Sequence, residues 1–458
     1  MTRRIWRRGL ALALIVAMLL AGCDALGFQS EPVVLRMMAP PGDAKGLQDA
    51  LEAYQRDHHN VTVEVVTFSP WPYIMGELRD AIANEELDIL RSLNTPLGDE
   101  GWLFMQAGLV QPLDGRLGKE WDAFREDSFP GAWDALSYAG QQIGVPSALD
   151  PIVVYATAEV ADALGVDLDA AWNTTGDPAA PVPWTTDDLA ATAELLHQPK
   201  GLAGLPPLRI EGLCADMYQD PGPLALIALR GGSLMDDLAM PSHPTLDDPA
   251  TVEAASWYAG LFAEDAVGDP PRIQQAFFRN GGLPEAAGTC SCGLWFGRFG
   301  DRGGIGSRFP WECGSRMLPL PADDEPTGMA FVEGYYVARS CAHPEEALEL
   351  IRYLTKQTSA AGARIPARLS LARDESYLQT LPDDIARTVR AYTQEGGLYW
   401  GRTTLIPLSA GQYLLSMPGM PSLMSSLHQA IDQIAREDVA PQVAMAAAQR
   451  QAEEALAP

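Results

Sequence analysis

A chain of 458 residues has room for two or three lobes at roughly 150 residues each. With 47% hydrophobic and 20% charged residues it has the make-up of a folded globular protein, which excludes a largely disordered chain and a multi-span membrane protein. Asp and Glu number 60 against 32 Lys and Arg, a net charge of −28 that repels phosphate backbones and anionic headgroups. Nucleic-acid binding and electrostatic docking to a membrane are excluded on that ground.

The N-terminus carries Arg3, Arg4, Arg7 and Arg8, then an apolar run over 10–20, too short for a comfortable membrane span. It ends in Leu19-Leu20-Ala21-Gly22-Cys23, which resembles the bacterial lipobox. The resemblance implies a signal peptide over 1–22, lipidation of Cys23 and a tether over 23–32 that holds an exported body at the membrane face. Cys214, Cys290, Cys292, Cys313 and Cys341 then remain in a compartment that permits disulfides, and their odd number leaves at least one without an intramolecular partner. A disulfide involving Cys313 is one alternative and unpaired thiols the other. The spacing of Cys290, Cys292 and Cys313 lacks the paired CxxC or nearby His of a zinc site, so no metal is expected.

Beyond the tether, Val33–Met38 is an apolar run without alternation, as in a strand buried on both faces. Leu47, Ala50, Leu51 and Tyr54 recur at helical spacing within 46–58, and residues 61–67 are β-branched, so the segment predicts a βαβ unit. A helix with Met75, Leu78, Ala81 and Ile82, a strand over 87–90 and a helix over 102–108 continue the alternation, which implies an α/β lobe with a largely parallel sheet. Its ligand loops would follow the strands, at 39–45, 68–73 and 91–99. Another strand is predicted over 152–155. Thr185 with Asp188 has the spacing of a capping box, and Leu189, Ala193 and Leu196 give that helix its buried face. Further helices are predicted from 247, with Val252, Ala255, Ala259 and Phe262 on one side; from His343-Pro344, with Pro at the first helical position; and over 442–456.

Together these segments resemble family 1 of the extracellular solute-binding proteins of ABC importers, the group that includes maltose-binding protein. The likeness rests on the opening strand–helix–strand, Gly108-Leu109-Val110-Gln111-Pro112-Leu113-Asp114, residues 138–146 ending Gly144-Val145-Pro146, residues 182–189, Gly231-Gly232-Ser233-Leu234, Leu318-Pro319-Leu320-Pro321, residues 333–338 and Ile365-Pro366-Ala367-Arg368, in the family's order. The resemblance implies an α/β, two-lobed periplasmic-binding-protein-like clamp of type II with three interlobe crossovers, near 148–151, 313–316 and 356–360. One lobe would comprise 33–149 plus 315–357, the other 150–314 plus 358–458. It further implies a monomer without cofactor or catalysis, anchored outside the cytoplasm. That monomer would capture a small-molecule solute, with carbohydrate the expected class, and deliver it to ABC permease subunits.

A sugar needs aromatic planes for its ring faces and planar polar groups for its hydroxyls. Trp295, in Cys292-Gly293-Leu294-Trp295-Phe296-Gly297-Arg298, resembles a cleft Trp of the family; the bland reading is a core Trp. Trp71 follows the second strand, and Asn94 follows the third, where a turn-forming role before Thr95-Pro96 competes with ligand contact. Asp150, before Pro151, either accepts ligand hydroxyls or fixes a hinge turn. Glu333, Tyr335 and Tyr336 match a cleft segment of the family, and Asp43 and Trp400 complete the candidate set. Arg298 is expected in a surface salt bridge, and His58-His59 at a helix end. H-E-x-x-H, P-loop and G-x-S-x-G motifs are absent. The alternatives to transport are a ligand-sensing partner of a membrane receptor and an exported glycoside-active enzyme with two cleft carboxylates.

Overall fold

The computed structural model describes residues 32–38, 44–66, 74–91, 104–105, 107–172, 184–198, 200, 202, 210–214, 222–236, 242–263, 292–302, 314–323, 327–407 and 420–456. The lipobox with Cys23, together with Cys290 and Cys313, lies outside them.

The βαβ start forms as its pattern dictates. Strand β1 (Val33–Met38) pairs in parallel with β2 (Val61–Val66), and the intervening helix Ala44–Asp57 buries Leu47, Ala50, Leu51 and Tyr54. Helix Ile74–Ala83 buries Leu78, Ala81 and Ile82 and leads to β3 (Ile89–Arg91), which joins β1 in parallel. The strand expected over 87–90 is thus shorter and later, with Leu87 buried just before it. Of the helix expected over 102–108, Phe104 and Met105 are helical among the described residues. A small hairpin of β4 (Ser137–Tyr138) and β5 (Gln141–Gln142) follows.

Next comes β6 (Val145–Thr157), thirteen residues buried throughout and much longer than the four expected. Pro146 and Pro151 disguise it in the sequence, because proline lacks the N–H a central ladder needs. Pro151 is tolerated because the ladder changes there. Up to Pro151, β6 pairs antiparallel with β10 (Gly328–Val337); from Ile152 to Ala156 it pairs antiparallel with β8 (Cys292–Arg298). In the second group β7 (Glu211–Cys214) runs parallel to β8, and β9 (Ser315–Leu318) flanks the end of β6. β10 pairs antiparallel with β3, and β11 (Ile365–Pro366) adds to β6 at Ala148 and Leu149. β12 (Thr403–Pro407) runs parallel to the first half of β10. The order β2-β1-β3-β10-β6-β8-β7 therefore joins two strand groups through β6 and β10. The pairing of β10 with β6 shifts register between Glu333 and Gly334, which face Ala148 and Pro146, so Ser147 of β6 is the extra residue of a bulge. A bulge bends its strand and increases the local twist, so the ladder joining the two groups is irregular at the junction.

The helices settle as their periodicity predicts. Thr185 Oγ1 accepts from the Asp188 amide and an Asp188 carboxylate oxygen accepts from the Thr185 amide, closing the capping box of helix Thr186–Leu196. Helix Pro344–Leu354 starts with Pro344 and buries Ala347, Leu350, Ile351 and Leu354; helices Pro249–Ala263 and Pro441–Leu456 also form. One core packs Leu35, Met37, Leu47, Tyr54, Tyr335 and Ile351; a larger one, on the other face of the first group, continues past Leu149 and Ile152 into the second. A disulfide links Cys214 to Cys292, and Cys341 is a buried free thiol. Burial, with the nearby Asp88 carboxylate second, pushes the Cys341 thiol up to about 12, so it stays protonated.

Candidate functional site

β1, β2 and β3 are parallel and end on one side, at Met38, Val66 and Arg91. The loops that follow, with Asp43, Trp71 and Asn94, lie outside the described residues. The other candidates are placed individually, and they do not form one set.

Asp150 and Glu333 come together. Asp150 is fully buried and Glu333 nearly so, on the adjacent strands β6 and β10. Between them lies Arg364, whose Nε pairs with Glu333 Oε1 and stands 3.7 Å from Asp150 Oδ2. Arg298 Nε, at the end of β8, is 3.8 Å from the same Oδ2, and the Gly300 N–H donates to Asp150 Oδ1 at 2.7 Å. Arg298 is therefore a buried partner of Asp150 rather than the surface salt bridge expected from the sequence. It is 9% exposed and its guanidinium lies over the Phe331 ring. Beside this cluster, fully buried Arg91 donates from Nη2 to the Ala360 carbonyl at 2.9 Å. Two carboxylates and two guanidiniums so placed compensate one another's charge away from water, the arrangement a buried ion needs.

The aromatic candidates lie apart. Trp295 is buried in β8 with one ring face stacked on Tyr155, centroids 5.5 Å apart. Tyr335 and Tyr336 are consecutive strand residues and point to opposite faces. Tyr335 packs in the first core beneath the Arg91 guanidinium, while Tyr336 meets Phe104 edge-on in the other core. Trp400 is half-buried, edge-on to Phe129, with Arg373 over its ring.

Arg91 and Arg364 escape sequence reasoning. Their signal is a basic residue set directly against apolar strand residues, Ile89-Leu90 in one case and Ile365 in the other. Among the described residues no group of three His, Cys, Asp or Glu could hold a metal ion, and no helix is long and apolar enough to cross a membrane.

No protein-family model matches the chain, and no curated protein does. Solved structures do. An ABC substrate-binding protein from Listeria monocytogenes in complex with cycloalternan is 16% identical, with 93% of this chain and 99% of that one covered, at a TM-score of 0.63. The sugar-binding protein MalE from Xanthomonas citri is 15% identical over 93% and 98%, at 0.64. An ABC transporter solute-binding protein from Thermotoga lettingae bound with α-D-tagatose is 16% identical over 93% and 100%, at 0.60. At such identities the likeness is one of fold, and this chain has the α/β, two-lobed fold of these sugar-binding ABC solute-binding proteins.

Proposed function

We propose that this chain is the substrate-binding component of an ABC importer, that it closes two lobes on a carbohydrate, and that it hands the sugar unchanged to a membrane permease. The observation that carries the reading is the likeness over 93% of the chain to structures holding cycloalternan and tagatose. The lipobox supports export and anchoring through a lipid on Cys23, with the body outside the cytoplasm.

The lobes divide where strands change partner: in β6 between Pro151 and Ile152, and in β10 beside Glu333 and Gly334. On this division β9, paired with residues 154–157 of β6, goes with the second lobe, whereas the family resemblance puts 315–357 in the first. Hinge closure at these points brings the carboxyl ends of β1, β2 and β3 toward the second lobe. Asp43, Trp71 and Asn94 on the loops beyond them, with half-buried Trp400, are the proposed sugar contacts. Trp295, Tyr335 and Tyr336 serve packing, and Asp150 and Glu333 serve the hinge.

The test is a thermal-shift panel of maltooligosaccharides, cycloalternan, mannooligosaccharides, tagatose, polyols and amino acids. A ligand at 100 times its dissociation constant adds about 2.7 kcal/mol to native stability. The expected result is a saturable shift from a sugar that is recovered unchanged. Consumption of the sugar overturns the binding-only reading, and shifts confined to amino acids overturn the carbohydrate class.

A further inference from the structure

Strands β6 and β10 pass between the strand groups, β11 is added to β6 at Ala148 and Leu149, and one buried cluster holds a residue at each of these three places. Asp150 lies on β6 next to its change of partner, Glu333 lies on β10 opposite the bulge, and Arg364 immediately precedes β11. Arg364 is the common member, paired with Glu333 and 3.7 Å from Asp150. The end of β8 is held to the same carboxylate by Arg298 and by the Gly300 N–H. Arg91 ties β3 to the segment leading into β11 through the Ala360 carbonyl. Space there is tight: a Cβ on Gly300 would come within 3.0 Å of Arg364 Cγ and 3.1 Å of Asp150 Oδ1.

Ordinary backbone ladders could join these strands without any charge. Ion pairs in a dry site add a strong dependence on relative position, because each carboxylate stays compensated only while its guanidinium remains in reach. A rotation of one lobe about β6 moves Arg298 and Gly300 relative to Asp150, and shifts Glu333 relative to Arg364. We propose that Asp150, Glu333, Arg298 and Arg364 are hinge-positioning residues, a charge lock that fixes the interlobe angle of the unliganded protein. The lock rests on the two-lobed fold and needs no particular ligand, so failure of the sugar panel leaves it standing.

The test compares the unliganded wild-type chain with Asp150→Asn and Glu333→Gln by small-angle scattering and amide hydrogen exchange. Release of the lock is expected to enlarge the radius of gyration and to speed exchange over 148–153 and 331–335, with the far-ultraviolet circular dichroism unchanged. A lowered melting temperature with neither change means the cluster only stabilises, and overturns the proposal. Should both variants fail to fold, the wild type alone decides the matter. As urea rises below the unfolding midpoint, the two stretches are expected to lose protection together, and independent opening overturns the lock.

Discussion

Charges buried at the junction of the strand groups and charges on the exposed surface use the same groups under opposite conditions. Arg364 and Glu333 are each 1% exposed in their side chains, whereas Arg116 and Glu345 are 37% and 68% exposed. In the first place water is excluded, so every charge depends on its protein partners; in the second, water replaces a lost partner at little cost. Distance alone would mislead: Arg116 Nη1 is 2.8 Å from Glu345 Oε1, closer than the 3.7 Å between Arg364 and Asp150. Surroundings rank these interactions, and substitutions can show it.

The largest effect is expected from Arg364→Met, which removes the guanidinium between Asp150 and Glu333. Two carboxylates then share a dry site with Arg298, and loss of one partner from a buried pair costs about 3–5 kcal/mol. Urea unfolding measures it. Adding Glu333→Gln removes one of the stranded charges, so the double variant should be more stable than Arg364→Met alone. If the second change simply adds its own loss, the two residues are not coupled and the buried half of the comparison breaks.

That coupling lies beyond sequence, for a reason particular residues make plain. Helix faces are legible because their periodicity is local, and Leu47, Ala50, Leu51 and Tyr54 all turn inward as their spacing predicts. The cap at Thr185 and Asp188 spans three residues and is equally legible. Asp150 and Arg298, by contrast, meet across almost 150 residues of chain, and neither shows in its own neighbourhood what it faces. Arg298 reads as a surface cation until the strand bearing Asp150 is laid beside it. The disulfide joins cysteines 78 positions apart, and its pairing is equally hidden. β6 is hidden differently: its prolines signal a loop, and only the change of pairing partner at Pro151 makes them compatible with a strand. Within the candidate site, Asp150 reads from sequence both as a ligand contact and as a hinge residue, and the proposed charge lock takes the second reading.

An intermediate case sharpens the comparison. In the capping box the Asp188 carboxylate is exposed, yet it accepts from a fixed backbone N–H, at 2.9 Å from Thr185. Geometry here is set by the helix start rather than by two flexible side chains. Thr185→Ala removes the reciprocal bond to the Asp188 amide and is expected to cost about 1 kcal/mol in urea unfolding. A loss as large as that of Arg364→Met would mean that burial is not what separates the classes.

The smallest effect belongs to Arg116 and Glu345. Glu345 lies in the first turn of helix Pro344–Leu354, where its charge is favoured by the helix dipole whether or not Arg116 is present. Two long exposed side chains must also give up rotamer freedom to hold one geometry. A double-mutant cycle with Arg116→Ala and Glu345→Ala should therefore give a coupling of about 0.5 kcal/mol or less. Raising the salt from about 0.15 M to about 1 M, where the screening length falls from about 8 Å to about 3 Å, should erase it. The Arg364 and Glu333 coupling should survive the same salt, because mobile ions do not enter a site that excludes water. Equal salt sensitivity of the two couplings would mean that water reaches the buried cluster, and the distinction between buried lock and exposed pair would fall.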